Sequence, residues 1–450
     1  MNLHAMLRAR AAERRPLRVG VIGAGKFASM FLAQARRTPG LHVLGVCDLD
    51  LGRARQALDA VGWPAGQYAA PDFTTALEAG TTHLTEDAFT LIDAPGLEIV
   101  VEATGVPAAG IAHALACFAA GRHVVMVNVE ADALAGALLA RRATEAGVLY
   151  SLAYGDQPAL IAEQVDWARA CGFEVVCAGK GTKYLPAYHA STPDTVWEHY
   201  GLSPEQARAG GMNPKMFNSF LDGTKSAIEM AAVANATGLR PPPGGLAFPP
   251  VEPARLPEVL KPRADGGVLE CAGTVEVVSS LARDGRELAS DLRWGVYVVI
   301  ASPDEYVARC CSEYGFVRDA GGRYAALYRP SHLIGLELGI SVASIGLRGE
   351  ATGAAREFAA DVVAVAKRDL GAGEVLDGEG GYTVWGRLMP ASDSLSAGAL
   401  PIGLAQGVRL RTARRAGEVL RWSDVEIDER DPAVRFRREM ETALVPAASD

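Results

Sequence analysis

Apolar positions along this chain fall into two rhythms. Over the first third, short continuous β-branched runs alternate with stretches of helical period. Leu17–Ile22 is such a run, and having no polar face it predicts a strand buried on both sides, as in a parallel sheet. It enters Gly23-Ala24-Gly25-Lys26-Phe27-Ala28 and then a helical stretch to about Arg37. His42–Cys47 predicts a second strand ending at Asp48, and Glu98–Glu102 and His123–Asn128 predict two more. Strands alternating with helices imply βαβ units. The expected class is α/β, with a doubly wound parallel sheet of Rossmann type over residues 1–155.

From about Asp156 the rhythm changes. A helix is followed by a strand around Val175, a glycine-rich turn, and a long helix starting near Pro214. The proline-rich passage Pro241–Pro262 is stiff and poor in donors, so it is expected to wrap the surface. Thr274–Leu281 and Leu292–Ile300 alternate and predict an antiparallel sheet. Residues 156–360 are therefore expected to form an α+β substrate and oligomerisation domain, part of it returning to the first domain. Residues 361–450 read as a small β-rich domain, in which Ala372-Gly373-Glu374-Val375-Leu376 recurs as Ala416-Gly417-Glu418-Val419-Leu420.

Charge narrows the classes of partner. The chain has 450 residues and a formal net charge of −9, which gives no support for nucleic acid or an anionic membrane as the main partner. The basic runs Arg8–Arg15 and Arg409–Arg415 are short and read as solvated surface. The seven cysteines are odd in number and irregular in spacing, so they suggest neither a disulfide framework nor a zinc site. Nothing resembles a signal peptide or a membrane span, and a cytoplasmic homo-oligomer is the expectation.

The first candidate site binds a dinucleotide. Gly23 permits the tight turn, Gly25 lets the backbone approach a pyrophosphate, and Ala28 allows close helix–strand packing. Lys26 and Phe27 complete the loop, and Thr104 and Gly105 follow the strand Glu98–Glu102. Asp48 lies 20 residues beyond Ala28, placed to accept from the ribose hydroxyls. That carboxylate favours NAD, whereas Arg53 and Arg55 suit the 2′-phosphate of NADP; the cofactor is NADP or NAD.

Polar residues concentrate in three further stretches. Lys180 and Lys183, in Lys180-Gly181-Thr182-Lys183-Tyr184, suit an anionic group or a carbonyl being reduced. On the helix after Asn213-Pro214, Asp222, Lys225, Ser226 and Glu229 are spaced to share one face. There the carboxylates would tune Lys225 as a proton donor. Tyr328-Arg329-Pro330-Ser331-His332 leads towards a helix with Glu337, with Arg329 as an anion clamp and His332 as an acid–base or hydrogen-bonding group. His189 is a further substrate-binding candidate, and Asp156 a candidate ligand for a divalent metal such as Mg²⁺ or Mn²⁺.

On these residues the chain resembles homoserine-dehydrogenase-like oxidoreductases that end in a SAF domain. Leu221-Asp222-Gly223-Thr224 is similar to the Asn-Gly-Thr helix start of homoserine dehydrogenases. Ala372–Gly386 and Ala416–Asp424 look like SAF, while Met216–Gly238 and His332–Val342 resemble the SAF-bearing group in particular. The chain departs from homoserine dehydrogenases at Val127-Asn128-Val129-Glu130, where Val129 stands in place of a catalytic lysine. Asn128 and Glu130 fit the Asn-Lys-Glu motif of reductoisomerases, again without the lysine. Asp156-Gln157-Pro158 matches only the aspartate of their Asp-Ser-Glu metal motif. The resemblance implies a reductoisomerase of 1-deoxy-D-xylulose 5-phosphate, an isoprenoid-pathway reaction, with NADPH as reductant.

The expected function is an NAD(P)H-dependent reductase or reductoisomerase of a small phosphorylated hydroxy-carbonyl compound. The proposed catalytic set is Lys183, Lys225, Asp222 and Glu229, with Lys180, Arg329, His332 and His189 binding substrate. The rival readings are a dehydrogenase of homoserine or another hydroxy acid, and a redox sensor that binds the dinucleotide without turnover.

Overall fold

The computed structural model describes residues 2–209 and 211–444. The chain divides into two compact units, one made of Met1–Leu160 with Leu333–Arg356, the other of Ile161–His332 with Glu357–Asp450.

In the first unit, β1 (Leu17–Ile22), β2 (Leu41–Cys47), β3 (His83–Thr85), β4 (Ile99–Glu102), β5 (His123–Met126) and β6 (Tyr150–Leu152) form one sheet. Its order is β3-β2-β1-β4-β5-β6 and every pairing is parallel. This is the doubly wound Rossmann order, whose direction reverses between β1 and β4 and opens a ligand crevice at the strands' carboxyl ends. The helix Lys26–Ala35 lays a stripe of Ala28, Phe31, Leu32 and Ala35 on the sheet, the i, i+3, i+4, i+7 spacing of an amphipathic helix. Burying Phe31 and Leu32 contributes about 1.5–3 kcal/mol each.

One part of this unit was not legible in the chain's rhythm. The arginine-studded N-terminus forms a helix, Leu3–Ala12, with Leu3 and Leu7 buried. The returning segment forms the helix Gly339–Arg348, which packs on β1 and on Leu3–Ala12. Glu337 lies just ahead of that helix. Hydroxyl and backbone bonds tie the segment to β6: the Tyr154 N–H donates to Ser341 Oγ (2.8 Å), and the Leu152 N–H to the Gly353 carbonyl (2.7 Å).

In the second unit, β7 (Glu174–Thr182), β8 (Thr274–Ser279), β9 (Val296–Ala301), β10 (Val317–Arg318) and β11 (Tyr324–Arg329) form a sheet of order β10-β11-β9-β7-β8. β7 runs parallel to β8 and antiparallel to β9. The two alternating stretches are thus strands, but β7 separates them and the sheet is mixed. The expected glycine turn at Lys180-Gly181-Thr182 is instead the end of β7. Gly179 and Gly181 are needed for crowding rather than turning, since a Cβ there would lie 1.8 Å from the Glu276 carbonyl oxygen and 1.9 Å from that of Leu292. The proline-rich passage does not wrap the surface either. Its Val251, Leu256 and Leu260 pack with Tyr297 and Val299 in the core on one sheet face.

The long helix expected after Pro214 is two helices, Pro214–Leu221 and Thr224–Thr237. Gly223, at φ +90°, breaks the run, because a left-handed residue cannot continue a right-handed helix.

The rest of the unit pairs β12 (Ala360–Ala366) with β14 (Val384–Pro390), and joins β13 (Val375–Asp377), β15 (Gln406–Leu410) and β16 (Val425–Glu426). The repeated Ala-Gly-Glu places Gly373 and Gly417 at φ +84° and +82°, two turns of the same hand. Arg437, wholly buried, pairs with Asp361 of β12 at 2.6 Å and anchors the helix Pro432–Ala443. Among the described residues no helix is long and apolar enough to cross a membrane.

Candidate functional site

The candidate dinucleotide cradle lies in the first unit. Gly23, at φ +95°, passes so close to the loop after β4 that a Cβ would sit 2.7 Å from the Ala103 carbonyl oxygen. A Cβ on Gly25 would meet nothing within 4 Å, so that space stays open over the start of the helix Lys26–Ala35, where backbone amides favour an anion. Lys26 is exposed beside it and Phe27 half-buried. Asp48, 6% exposed, accepts from the Ala24 N–H at 2.8 Å and from Arg53 at 2.7 Å. Burial pushes its carboxyl up, but these donors and the Asp50 N–H outweigh that and hold it below the usual carboxylate value. Arg53 is more than half exposed, so its guanidinium is able to leave Asp48 for a ligand.

Beyond β4, Thr104 donates to the buried Glu102 at 2.6 Å, and His113 contacts the same oxygen at 3.1 Å. Asn128 accepts from the Ala131 N–H, capping the next helix, and donates to the Val106 carbonyl at 2.9 Å. That bond steadies the loop carrying Thr104 and Gly105. Val129, where homoserine dehydrogenases carry lysine, is 2% exposed. Asp156 is buried just past β6, with Oδ1 accepting from the Gln157 N–H. Gly155 beside it lies so close to Leu333 and Glu337 that a Cβ would stand 2.9 Å from Glu337 Cβ. The sequence offered no sign that Glu337 comes to this edge, because the contact spans two distant segments.

In the second unit, one end of the mixed sheet collects cations. Lys183 follows β7, Arg293 and Trp294 precede β9, Arg329 closes β11 opposite Val296, and His332 comes just after. Lys183 Nζ donates to the His199 carbonyl at 2.6 Å and lies 5.8 Å from the Tyr200 ring centre. The Arg293 guanidinium lies over Tyr200 at 5.7 Å and over Trp294 at 4.8 Å. His332 Nδ1 donates to the Trp294 carbonyl at 2.7 Å, an oxygen that only accepts, so this ring nitrogen carries a proton. Neither Lys183 nor Arg293 has a carboxylate within 4.0 Å among the described residues. Burial, and then Arg293, hold the Lys183 ammonium below the ordinary lysine value. Arg293 and Trp294 escaped notice in the sequence because they read as the start of an alternating strand.

The other sequence candidates separate. Lys180 is buried in an ion pair with Glu229 across the sheet–helix contact. Asp222, expected to face Lys225, ends the preceding helix and pairs with Lys367 at 2.8 Å, both side chains nearly inaccessible. Lys367 also donates to the Ser191 and Gly381 carbonyls, each at 2.7 Å. Lys225 stands half-buried in the first turn of Thr224–Thr237. Gly223 breaks the helix between Asp222 and Lys225, so the one helix expected to carry both is two, with Asp222 at the end of the first and Lys225 at the start of the second. His189 Nδ1 donates to the Asp222 carbonyl (2.7 Å) and Nε2 accepts from the Tyr184 hydroxyl (2.8 Å). Burial lowers its proton affinity, so both ring nitrogens are committed in a neutral imidazole.

For a metal the donor set does not fit. Among the described residues no three His, Cys, Asp or Glu side chains cluster to hold an ion, and Asp156 stands without such a set.

Comparisons with known proteins agree with this division. Residues 19–151 match the homoserine dehydrogenase NAD-binding domain, and residues 155–338 match the catalytic domain of oxidoreductase DRL. No curated protein matches the chain significantly. Among solved structures, a probable dehydrogenase from Thermotoga maritima is similar at 14% identity, over 74% of this chain and 90% of that one, with a TM-score of 0.39. An NAD-binding oxidoreductase from Klebsiella pneumoniae matches at 19% identity over 39% and 47%, TM-score 0.28. The myo-inositol dehydrogenase of Lactobacillus casei matches at 16% over 40% and 50%, TM-score 0.28. For the last two the chain spans about half of the matched protein's length or less. The chain thus joins a segment that matches a homoserine dehydrogenase NAD-binding domain to one that matches an oxidoreductase catalytic domain of DRL type.

Proposed function

We propose that the protein uses NAD(P)H to reduce a small phosphorylated hydroxy-carbonyl compound such as 1-deoxy-D-xylulose 5-phosphate, as a reductase or reductoisomerase. The observation that carries this reading is the sheet end where Lys183, Arg293, Arg329 and His332 gather, with no carboxylate paired to Lys183 or Arg293. Guanidinium groups suit the planar, bidentate recognition of a phosphate. A lysine of lowered proton affinity suits proton donation to an oxygen developing negative charge. In this reading Arg293 and Arg329 hold the phosphate, and Lys183 donates to the carbonyl oxygen. His332 Nε2 is a second acid–base group. Lys180, Glu229 and Asp222 act by positioning, because their charges are already committed inside the fold. Lys225, in the first turn of Thr224–Thr237, is assigned a supporting substrate contact. Asp48 favours NADH, and Arg53 admits NADPH if it turns to the 2′-phosphate.

The C-terminal strands are assigned as a SAF-like domain on the resemblance of Ala372–Gly386 and Ala416–Asp424. The test is oxidation of NADH and NADPH with 1-deoxy-D-xylulose 5-phosphate, with and without Mg²⁺ or Mn²⁺. Turnover is expected, and Arg293→Ala should raise KM by about tenfold or more, the worth of one charge-assisted hydrogen bond. Absence of turnover under every condition overturns the substrate, and an unchanged KM removes the phosphate from this sheet end.

A further inference from the structure

We infer that the second unit carries a separate binding site for a small organic carboxylate, in a cavity between the start of the helix Thr224–Thr237 and β14. The cavity measures about 240 Å³ and is lined by His189, Gly223, Leu246, Phe248, Trp385 and Arg387 among others. Pockets for drug-sized ligands run from about 300 to 1,000 Å³, so this one suits a smaller molecule and excludes a dinucleotide.

Its walls specify a chemistry. Trp385, Phe248 and Leu246 offer an apolar body, and the His189 ring stacks on Trp385 at 3.8 Å, so the cavity side of the pair is a flat surface. His189 brings no charge, since its two nitrogens are committed and burial keeps it neutral. The single cation on the wall is Arg387. Its Nε is buried without a hydrogen-bond partner, and its one recorded side-chain contact is a terminal nitrogen 3.7 Å from Met389 Sδ. Among the described lining residues none is a carboxylate. The Arg387 side chain is half-buried on the cavity wall, and a planar carboxylate is the partner that a guanidinium fork fits. A strongly hydrated phosphate dianion would lose more solvation against these apolar walls than one guanidinium returns.

The backbone around the cavity is also held in an unfavourable state. Phe248 has φ +50°, a region a bulky residue rarely enters. Such strain persists where surrounding bonds over-determine it, and it concentrates at ligand sites. Here the restraints are the buried Glu276 carboxyl, which accepts from the Ala247 and Phe248 N–H groups, and Tyr184, stacked on Phe248 at 3.9 Å. The segment 244–248 is thereby fixed in the shape that forms one wall.

The site is independent of the turnover reading, and its test needs neither dinucleotide nor activity. Benzoate, benzamide and inorganic phosphate are titrated by calorimetry into the full chain and into the variants Arg387→Gln and Gly244→Leu. Gly244 lines the cavity and a Cβ on it meets nothing within 4 Å, so leucine there is chosen to obstruct the cavity. Benzoate is expected to bind saturably and benzamide at least about tenfold more weakly. Arg387→Gln should cost a similar factor, and folded Gly244→Leu should not bind. Benzoate binding to folded Gly244→Leu at wild-type affinity overturns the proposal even if Arg387→Gln fails to fold. No saturable benzoate binding to the wild type overturns it outright, equal affinity for benzamide removes the charge from the argument, and tighter binding of phosphate refutes the assigned ligand class.

Discussion

In the proposed reading, Asp48 and Arg53 are the pair of side chains that sets cofactor choice. The carboxylate is buried and ionised, held by two amides that do not depend on Arg53. Removing Arg53 therefore spares the amides that hold Asp48 and deletes one of the two arginines, with Arg55, that suit a 2′-phosphate. Arg53→Ala is expected to weaken NADPH binding about tenfold and to change NADH binding by less than about twofold, read by fluorescence titration; equal losses for both contradict this. Glu276 offers a prediction in pH. Burial pushes its carboxyl up to about 7, against the amides of Val277, Ala247 and Phe248. Between the ordinary value near 4.5 and about 7, the folded state keeps a proton that the unfolded state has shed. Stability from this group is thus full at low pH and falls as pH rises through that window, by about 3 kcal/mol at most. Glu276→Gln removes the titration and should gain on the wild type above pH ~7 but not below ~4.5. Denaturant melts at the two pH values decide it, and parallel curves would contradict it.

At the scale of elements, the break at Gly223 organises the second unit's interior. Just before the break, Asp222 pairs with Lys367, whose side chain is 2% exposed. Lys367→Met would leave a buried carboxylate and two carbonyls without their donor, at a cost of about 3–5 kcal/mol. Pairing it with Asp222→Leu should recover part of that loss in chemical denaturation; full additivity of the two losses would argue against direct coupling. This element also marks where the sequence stopped being legible. Leu17–Ile22 and Leu41–Cys47 were readable because a buried parallel strand is apolar throughout, and Asp48 because its spacing from the glycine loop follows from the βαβ unit. Lys367 was not, since nothing in the local rhythm of β12 announces a partner so distant in sequence. Gly179 and Gly181 misled for a physical reason: glycine serves close backbone approach as well as turns, and only the neighbouring strands tell which.

For the molecule as a whole, the two units carry different candidate sites. The first, a Rossmann sheet with a returning helix, carries the candidate dinucleotide cradle; the second matches a catalytic domain over most of the same segment that gathers Lys183, Arg293 and His332. The proposed reaction requires that hydride leave the nicotinamide and arrive on the substrate. The most direct measurement is transfer of label from NADH and NADPH deuterated at C4 of the nicotinamide, each stereoisomer in turn, to 1-deoxy-D-xylulose 5-phosphate, with the product analysed by mass spectrometry. The account predicts a product one deuterium heavier from one stereoisomer of the cofactor, and loss of that product in Lys183→Ala with dinucleotide binding retained. Unlabelled product, or label transfer undiminished in Lys183→Ala, would contradict it.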